Sequence, residues 1–400
     1  MSLKQQFHFF QQYPDFVYLD SAATTQKPQA VLEAINQAYI KYNANVHRSS
    51  HHIANLATNE FEQARTKVAA WLNVANKKQI IFTKGATESI NIVANGIKNK
   101  LNKDDVILVE TNAHHANIVP WQQLAKERQA QLVFIKNHPS GSIDLDHYQK
   151  LLKLNPKIVA VTHVSNVLGS VNDVQLLTSL AHQHDAKILI DGAQAVAHLA
   201  VDVTALDCDY YVFSGHKMYA PQGVGVLAGK LDALAELEPL LTGGEMVRDV
   251  QLSGSLWQDL PYVLEAGTPN IAAVIALGVA VDWLTGLSFS LSAAEKELLQ
   301  QLQAMLLDLP EVSLYSTEAN IVSCIAFNIN NQHHFDVASM LDSLKVAIRS
   351  GYHCAMPTLQ TSMQVEDGCC RFSVGAYTDQ DDLNAAISAL KQTITVLKDV

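Results

Sequence analysis

No stretch of this chain approaches the run of about 18 uncharged apolar residues that a membrane-spanning helix needs, although 48% of its 400 residues are hydrophobic. The segment Met1 to Tyr13 is polar and aromatic, without a basic start and an apolar middle, so no secretory signal is expected. A cytoplasmic protein is the expectation. Cysteine is scarce: Cys208, Cys324, Cys354, Cys369 and Cys370 make an odd set with no C-x-x-C spacing. That suits reduced thiols better than a disulfide framework or a zinc site, and makes any special cysteine a nucleophile. There is no run of lysine and arginine, and the net charge is -11, which argues against nucleic acid as a partner. Sixteen histidines are present, but the pairs His51-His52, His114-His115 and His333-His334 point their side chains apart and no H-E-x-x-H occurs. No metal site is expected. Internal repeats and low-complexity segments are also missing.

What is present is an alternation of short apolar runs with amphipathic ones from Gln79 to Gly229. Ile80 to Phe82, Val106 to Val109, Leu132 to Ile135, Ile158 to Val161, Ile188 to Ile190, Tyr210 to Phe213 and Val224 to Leu227 read as strands; Ile90 to Leu101 and Ile118 to Ala125 read as helices. Strands apolar on both faces imply a sheet covered on both sides, an α/β architecture with ligands at the carboxyl ends of the strands. The last two strands flank a short loop and read as neighbours that could be antiparallel. Leu240 to Asn270, broken by glycine and proline, reads as an extended excursion. Helical spacing resumes at Ile271 to Leu284 and Ala293 to Leu307. Beyond lie strands at Ile321 to Asn328 and Cys370 to Gly375 and helices at Asp336 to Leu344 and Asp381 to Lys398, a small α+β domain.

Two segments carry chemistry. Ser214-Gly215-His216-Lys217 leaves one strand, and Asp191-Gly192-Ala193-Gln194 leaves another. A lysine held at a buried strand end finds a charge partner, loses its proton or condenses with an aldehyde. An aspartate at a neighbouring strand end suits a protonated pyridine nitrogen, and the pair points to pyridoxal phosphate. Lys84 to Ser89 opens a helix whose apolar positions are Ile90, Val93, Ile97 and Leu101. Its free N–H groups and the Thr87 hydroxyl form a phosphate cradle, with Ser214 and His216 on the other side. His114 follows a strand where its ring can lie on a cofactor and pass protons. Asn166 and Gln194 can donate to a phenolate oxygen.

Leu19 to Ala23, Asn45 to Arg48, His114 to Trp121, Val164 to Asn166, Asp191 to Gln194, Ser214 to Lys217, Glu265 to Asn270 and Arg349 with Gly351 to Pro357 together resemble the cysteine desulfurases of the CsdA/SufS type, within the class V aminotransferase fold proteins. The resemblance covers essentially the whole chain in order. It implies the PLP-dependent transferase fold type I: a mostly parallel seven-stranded sheet in a large domain (20–285) and a small α+β domain (1–19 and 286–400). It further implies that Lys217 forms the Schiff base, Asp191 pairs the pyridinium, His114 stacks on the ring, and Thr87, Ser214 and His216 hold the phosphate. Thr268 would reach the phosphate across a homodimer interface. Gln194 and Asn166 would lie near the ring oxygen and the substrate, Arg371 would bind the substrate carboxylate through its planar fork, and Cys354 would accept sulfur.

The chemistry expected is conversion of L-cysteine to L-alanine, with Lys217 removing the α-proton and the Cys354 thiolate taking the substrate sulfur as a persulfide, whose outer sulfur an acceptor protein of the SufE/CsdE type then takes. Attack needs the thiolate, which Arg349 or a protonated His353 would favour, and Gly351 suggests a mobile loop. Cys369 and Cys370 are expected to face core and solvent in turn. Selenocysteine lyase activity on the same site stays open; a cofactor-binding scaffold without turnover is a distant alternative, against which the intact Lys217, Asp191, Arg371 and Cys354 set argues. A nicotinamide oxidoreductase is disfavoured because no G-x-G-x-x-G opens a helix.

Overall fold

The computed structural model describes residues 3–48, 50–318 and 320–398, and the helix at 288–292 by its backbone alone. After β1 (Val17–Tyr18) come the strands of the main sheet: β2 (Ile80–Thr83), β3 (Val106–Glu110), β4 (Gln131–Ile135), β5 (Ile158–Thr162), β6 (Lys187–Asp191), β7 (Tyr210–Ser214) and β8 (Gly225–Gly229). Their order is β2-β8-β7-β6-β5-β3-β4. Pairing is parallel from β4 through β7, while β8 runs antiparallel to both its neighbours. The antiparallel pair expected at the lysine loop is therefore present.

Alternate residues of these strands enter different cores. Val106, Leu108, Val159, Val161, Ile188 and Ile190 pack on one face, Ile107, Val109, Ile158, Ala160 and Leu189 on the other. Because a strand turns successive side chains to opposite faces, two covered faces demand the unbroken apolar runs seen in the sequence. The carboxyl ends of β2, β3, β5, β6 and β7 consequently lie along one edge.

The stretch 240–270 is partly regular: β9 (Val247–Gln251) and β10 (Gly254–Trp257) pair as a hairpin. Val250, Leu252, Leu256 and Trp257 are all exposed on it. Ile271–Leu307 is a single helix of 37 residues, so the expected boundary at 285/286 falls inside one element. A second sheet, order β11-β12-β15-β14, combines β11 (Val312–Leu314), β12 (Cys324–Ile329), β14 (Arg349–Gly351) and β15 (Cys369–Ser373). β13 (Val346–Ala347) pairs in parallel with β1, which ties the start of the chain to its last quarter. The helices His334–Ser343 and Gln380–Lys398 cover this sheet through Val337, Leu341, Leu383 and Leu390.

Candidate active site

Thr87, His114, Asn166, Asp191, Gln194, Ser214, His216, Lys217 and Arg371 line a single cavity of about 170 Å³ at the carboxyl edge of the main sheet. Strand order explains the convergence. β5, β6 and β7 are adjacent, and each delivers its polar residue within a few positions of its end.

Close backbone packing sets the side of the cavity formed by the start of the helix Ala86–Gly96. A Cβ on Gly225 would stand 2.4 Å from the Cα of Gly85, so only glycine lets β8 approach the start of the helix Ala86–Gly96. The Ala86 amide donates to Ser214 Oγ at 2.9 Å, which joins the lysine loop to that helix. Thr87 and Glu88 amides have no acceptor within their own helix and carry the positive end of its dipole. Gly192 is fixed by a similar argument: a Cβ there would meet the Tyr211 ring at 2.2 Å.

The electrostatics are those of a dry site. Burial pulls the Lys217 ammonium down to about 8, with Asp191 opposing and Arg371 and Arg349 assisting. Burial raises the Asp191 carboxyl, against the pull of Lys217 and of the Ala193 amide that donates to Oδ1 at 3.0 Å. His114 falls to about 3, first through burial and then through Lys217. Its Nδ1 accepts from the Ala116 amide at 3.1 Å, so the neutral ring carries its proton on Nε2. The His216 ring falls to about 4 for the same reasons.

Arg371 is buried in β15, and its Nη1 donates to the Asn166 carbonyl at 2.7 Å and its Nη2 to Asp20 Oδ1 at 3.1 Å. Its Nε is buried without a partner, as is Asn166 Oδ1. Asn166 Nδ2 donates to the His353 carbonyl at 2.8 Å. Gln194 is held at both ends: Nε2 donates to the Ala22 carbonyl at 2.8 Å and Oε1 accepts from Ser323 Oγ at 3.1 Å.

Cys354 is half-buried and lines a neighbouring groove that shares Thr87, His114 and Ala116 with the first cavity. Arg349 Nη2 lies 3.7 Å from its Sγ. The second proposed helper is excluded. Burial and Arg371 hold the His353 ring down at about 2, and its Nε2 sits 3.0 Å from the Cys369 carbonyl, so no imidazolium adjoins the thiol. Gly351 ends strand β14 opposite Cys369, with φ 106°, directly before the turn that carries Cys354. Cys369 and Cys370 are both buried, because the face of β15 expected to meet solvent is covered by Val167, Leu168 and Leu359. Thr268 lies outside the Lys217 cavity, in a depression with Lys84 and Glu265.

The aminotransferase class-V family model matches residues 17–385. A probable cysteine desulfurase of Vibrio cholerae is 41% identical over 401 residues, 99% of this chain and 98% of the relative. The chain belongs to the aminotransferase class-V family. Two solved structures agree with this class-V protein along its length. An apo cysteine desulfurase of Thermococcus onnurineus matches with TM-score 0.93 and 32% identity over 100% of this chain and 98% of that one. The cysteine desulfurase CsdA of Escherichia coli matches with TM-score 0.90 and 37% identity over 98% of both.

Two residues with no role expected from the sequence support the lining of this class-V cavity from behind. Asp20 pairs Arg371, and Lys27 Nζ donates to the Thr25 carbonyl and, at 3.1 Å, to the His216 carbonyl. Burial lowers that ammonium to about 7. The available signal for Asp20 was its place directly after the apolar Val17 to Leu19; nothing local marks Lys27. No group of three or more metal-ligating side chains occurs among the described residues, and no described helix is long and apolar enough to cross a membrane.

Proposed function

We propose that this protein is a pyridoxal phosphate-dependent cysteine desulfurase in which Lys217, Asp191 and Cys354 carry the reaction. The observation behind this is the meeting of an amine lowered to about 8 with a buried carboxylate in one cavity, beside a groove lined by a cysteine. The cavity fits the cofactor chemically, having a buried anion for a pyridinium, a helix start with free amides for a phosphate, and the unpartnered Asn166 Oδ1 and Arg371 Nε on the substrate side. Lys217 would hold the aldehyde carbon, Asp191 the ring nitrogen, His114 the ring face, Thr87, Ser214 and His216 the phosphate, and Gln194 the ring oxygen. When bound, the cofactor supplies an aldehyde for amines and an electron-withdrawing ring.

Arg371 takes the carboxylate of L-cysteine, and Asn166 stands beside it. Lys217 Nζ accepts the α-proton. The Cys354 thiolate, favoured by Arg349, forms an S–S bond to the substrate sulfur as the substrate Cβ–S bond breaks. The electron pair returns to the carbon skeleton, which takes up a proton and leaves as L-alanine, so that cysteine and thiol become alanine and persulfide. Acceptance of that sulfur by a protein of the SufE/CsdE type completes the cycle. The protein acts as a homodimer, each Thr268 serving the partner's phosphate.

The decisive experiment is mass spectrometry of the protein after brief exposure to L-cysteine, with alanine measured alongside. A gain of one sulfur on Cys354, lost in Cys354→Ala together with alanine production, is the expected result. Full alanine production by Cys354→Ala would refute the assignment of the nucleophile.

A further inference from the structure

The polypeptide that carries the nucleophile is held in an unfavourable backbone conformation by the other half of the site. His353 and Cys354 are consecutive non-glycine residues with φ 51° and 55°, in the left-handed region that L-residues rarely occupy. Such geometry persists only where the surroundings over-determine it. Here the peptide groups of this turn are engaged from the main-sheet side: the His353 carbonyl by Asn166 Nδ2 at 2.8 Å, the Cys354 carbonyl by the His115 amide at 2.7 Å, and the Met356 amide by His115 Nε2 at 3.1 Å. One residue, adjacent to His114 in the chain, thus makes two of the three contacts.

We propose that His115 is a positioning residue for sulfur transfer: its ring, accepting from the Met356 N–H, latches the Cys354 turn in the left-handed conformation that presents the thiol beside the His114 ring. The role requires a neutral ring with its proton on Nδ1, and burial lowers the His115 ring's affinity for a second proton. Among the described residues, the Met356 amide is the hydrogen-bond partner of His115 Nε2. The inference rests on Cys354 being the sulfur acceptor, but its physical core, the latch, does not.

The test uses the holoenzyme and three variants. His115→Ala removes the acceptor, His115→Gln places Oε1 near the Nε2 position, and His115→Asn is too short to reach; the backbone amide at 115 stays in all. Hydrogen exchange at the Met356 amide reports the latch, alkylation of Cys354 by iodoacetamide reports thiol presentation, and mass spectrometry times persulfide formation. In His115→Ala and His115→Asn, Met356 should exchange faster and persulfide formation should slow on the order of ten- to a hundredfold, the penalty of misplacing a reacting group by about an ångström. KM for cysteine and the cofactor absorbance should not move. His115→Gln should restore both Met356 protection and rate to within a few-fold. If His115→Ala fails to fold, the Gln and Asn pair decides. Persulfide formation at the wild-type rate without the acceptor would overturn the proposal, as would a His115→Gln protein that regains Met356 protection and not the rate. Sulfur found elsewhere than Cys354 in the unaltered protein would refute the nucleophile instead, while Met356 exchange would still answer for the latch.

Discussion

Burial lowers the Lys217 ammonium to about 8 even though Asp191 works in the opposite direction, so a usable share of free amine exists near neutral pH. The sign follows directly: a depressed lysine becomes reactive at lower pH than a solvated one. Cofactor-stripped protein should therefore reload with pyridoxal phosphate at a rate that climbs with pH and reaches half its maximum near 8, read from the rise in absorbance. A midpoint still near the ordinary lysine value of about 10.4 would contradict the burial. Arg371→Lys tests the other end of the substrate. A lysine offers a point charge where a fork is needed, so KM for cysteine should rise by at least about tenfold while the cofactor spectrum is retained, about 1.4 kcal/mol or more of lost binding. At this scale the convergence of Lys217, Asp191 and His114 on one cavity was legible, because each stands at or just beyond the end of a main-sheet strand. The sequence was silent on Asp20 and His115, whose importance comes from partners more than two hundred positions away, Arg371 and Met356. The expectation of a protonated His353 failed because burial depth cannot be read from a loop composition.

The helix Ala86–Gly96 owes part of its anchoring to a neighbour in β7, through the bond from the Ala86 amide to Ser214 Oγ. Ser214→Ala should leave that buried donor unsatisfied and cost about 1–3 kcal/mol of stability, measured by denaturant unfolding of the cofactor-stripped protein. Cofactor should also dissociate faster from this variant, because the amides beside Ala86 lose their fixed orientation. An unchanged midpoint and unchanged retention would show that Ser214 matters to neither. The main-sheet strands were legible because two cores draw alternate residues from each strand, which confines polar residues to the strand ends. The β9–β10 hairpin was not, since Val250, Leu252, Leu256 and Trp257 turn apolar side chains to solvent and so erase the alternation that would mark a half-buried strand. Cys369 and Cys370 misled for the converse reason: β15 is covered on both faces, a fact fixed by packing against the 165–168 turn and not by its own sequence.

On the scale of the whole molecule, Thr268 lies outside the Lys217 cavity it is proposed to serve in a second copy, and the loop that bears it is clamped from within the chain. Arg65, fully buried, grips Glu265 at 2.6 Å and 2.9 Å. A loop so firmly held yet remote from its own Lys217 suits delivery to a second copy. Subunit mixing tests this. Lys217→Ala and Thr268→Asp proteins should each be inactive alone, and exchange of their subunits should restore activity in up to about a quarter of the sites, since each mixed dimer contains one intact combination. No recovery after exchange, verified by sedimentation, would place Thr268 in the service of its own subunit or of none.

The wall beside Lys217 also has an order of assembly in time. Asp20, Ser21 and Ala22 meet Arg371, Tyr377 and Ser373, which are made about 350 residues later. A ribosome that has released the entire main sheet, through Gly229, has yet to make the Arg371, Ser373 and Tyr377 side of the wall. That wall therefore closes only once residue 377 has been made, long after the sheet on which Lys217 stands.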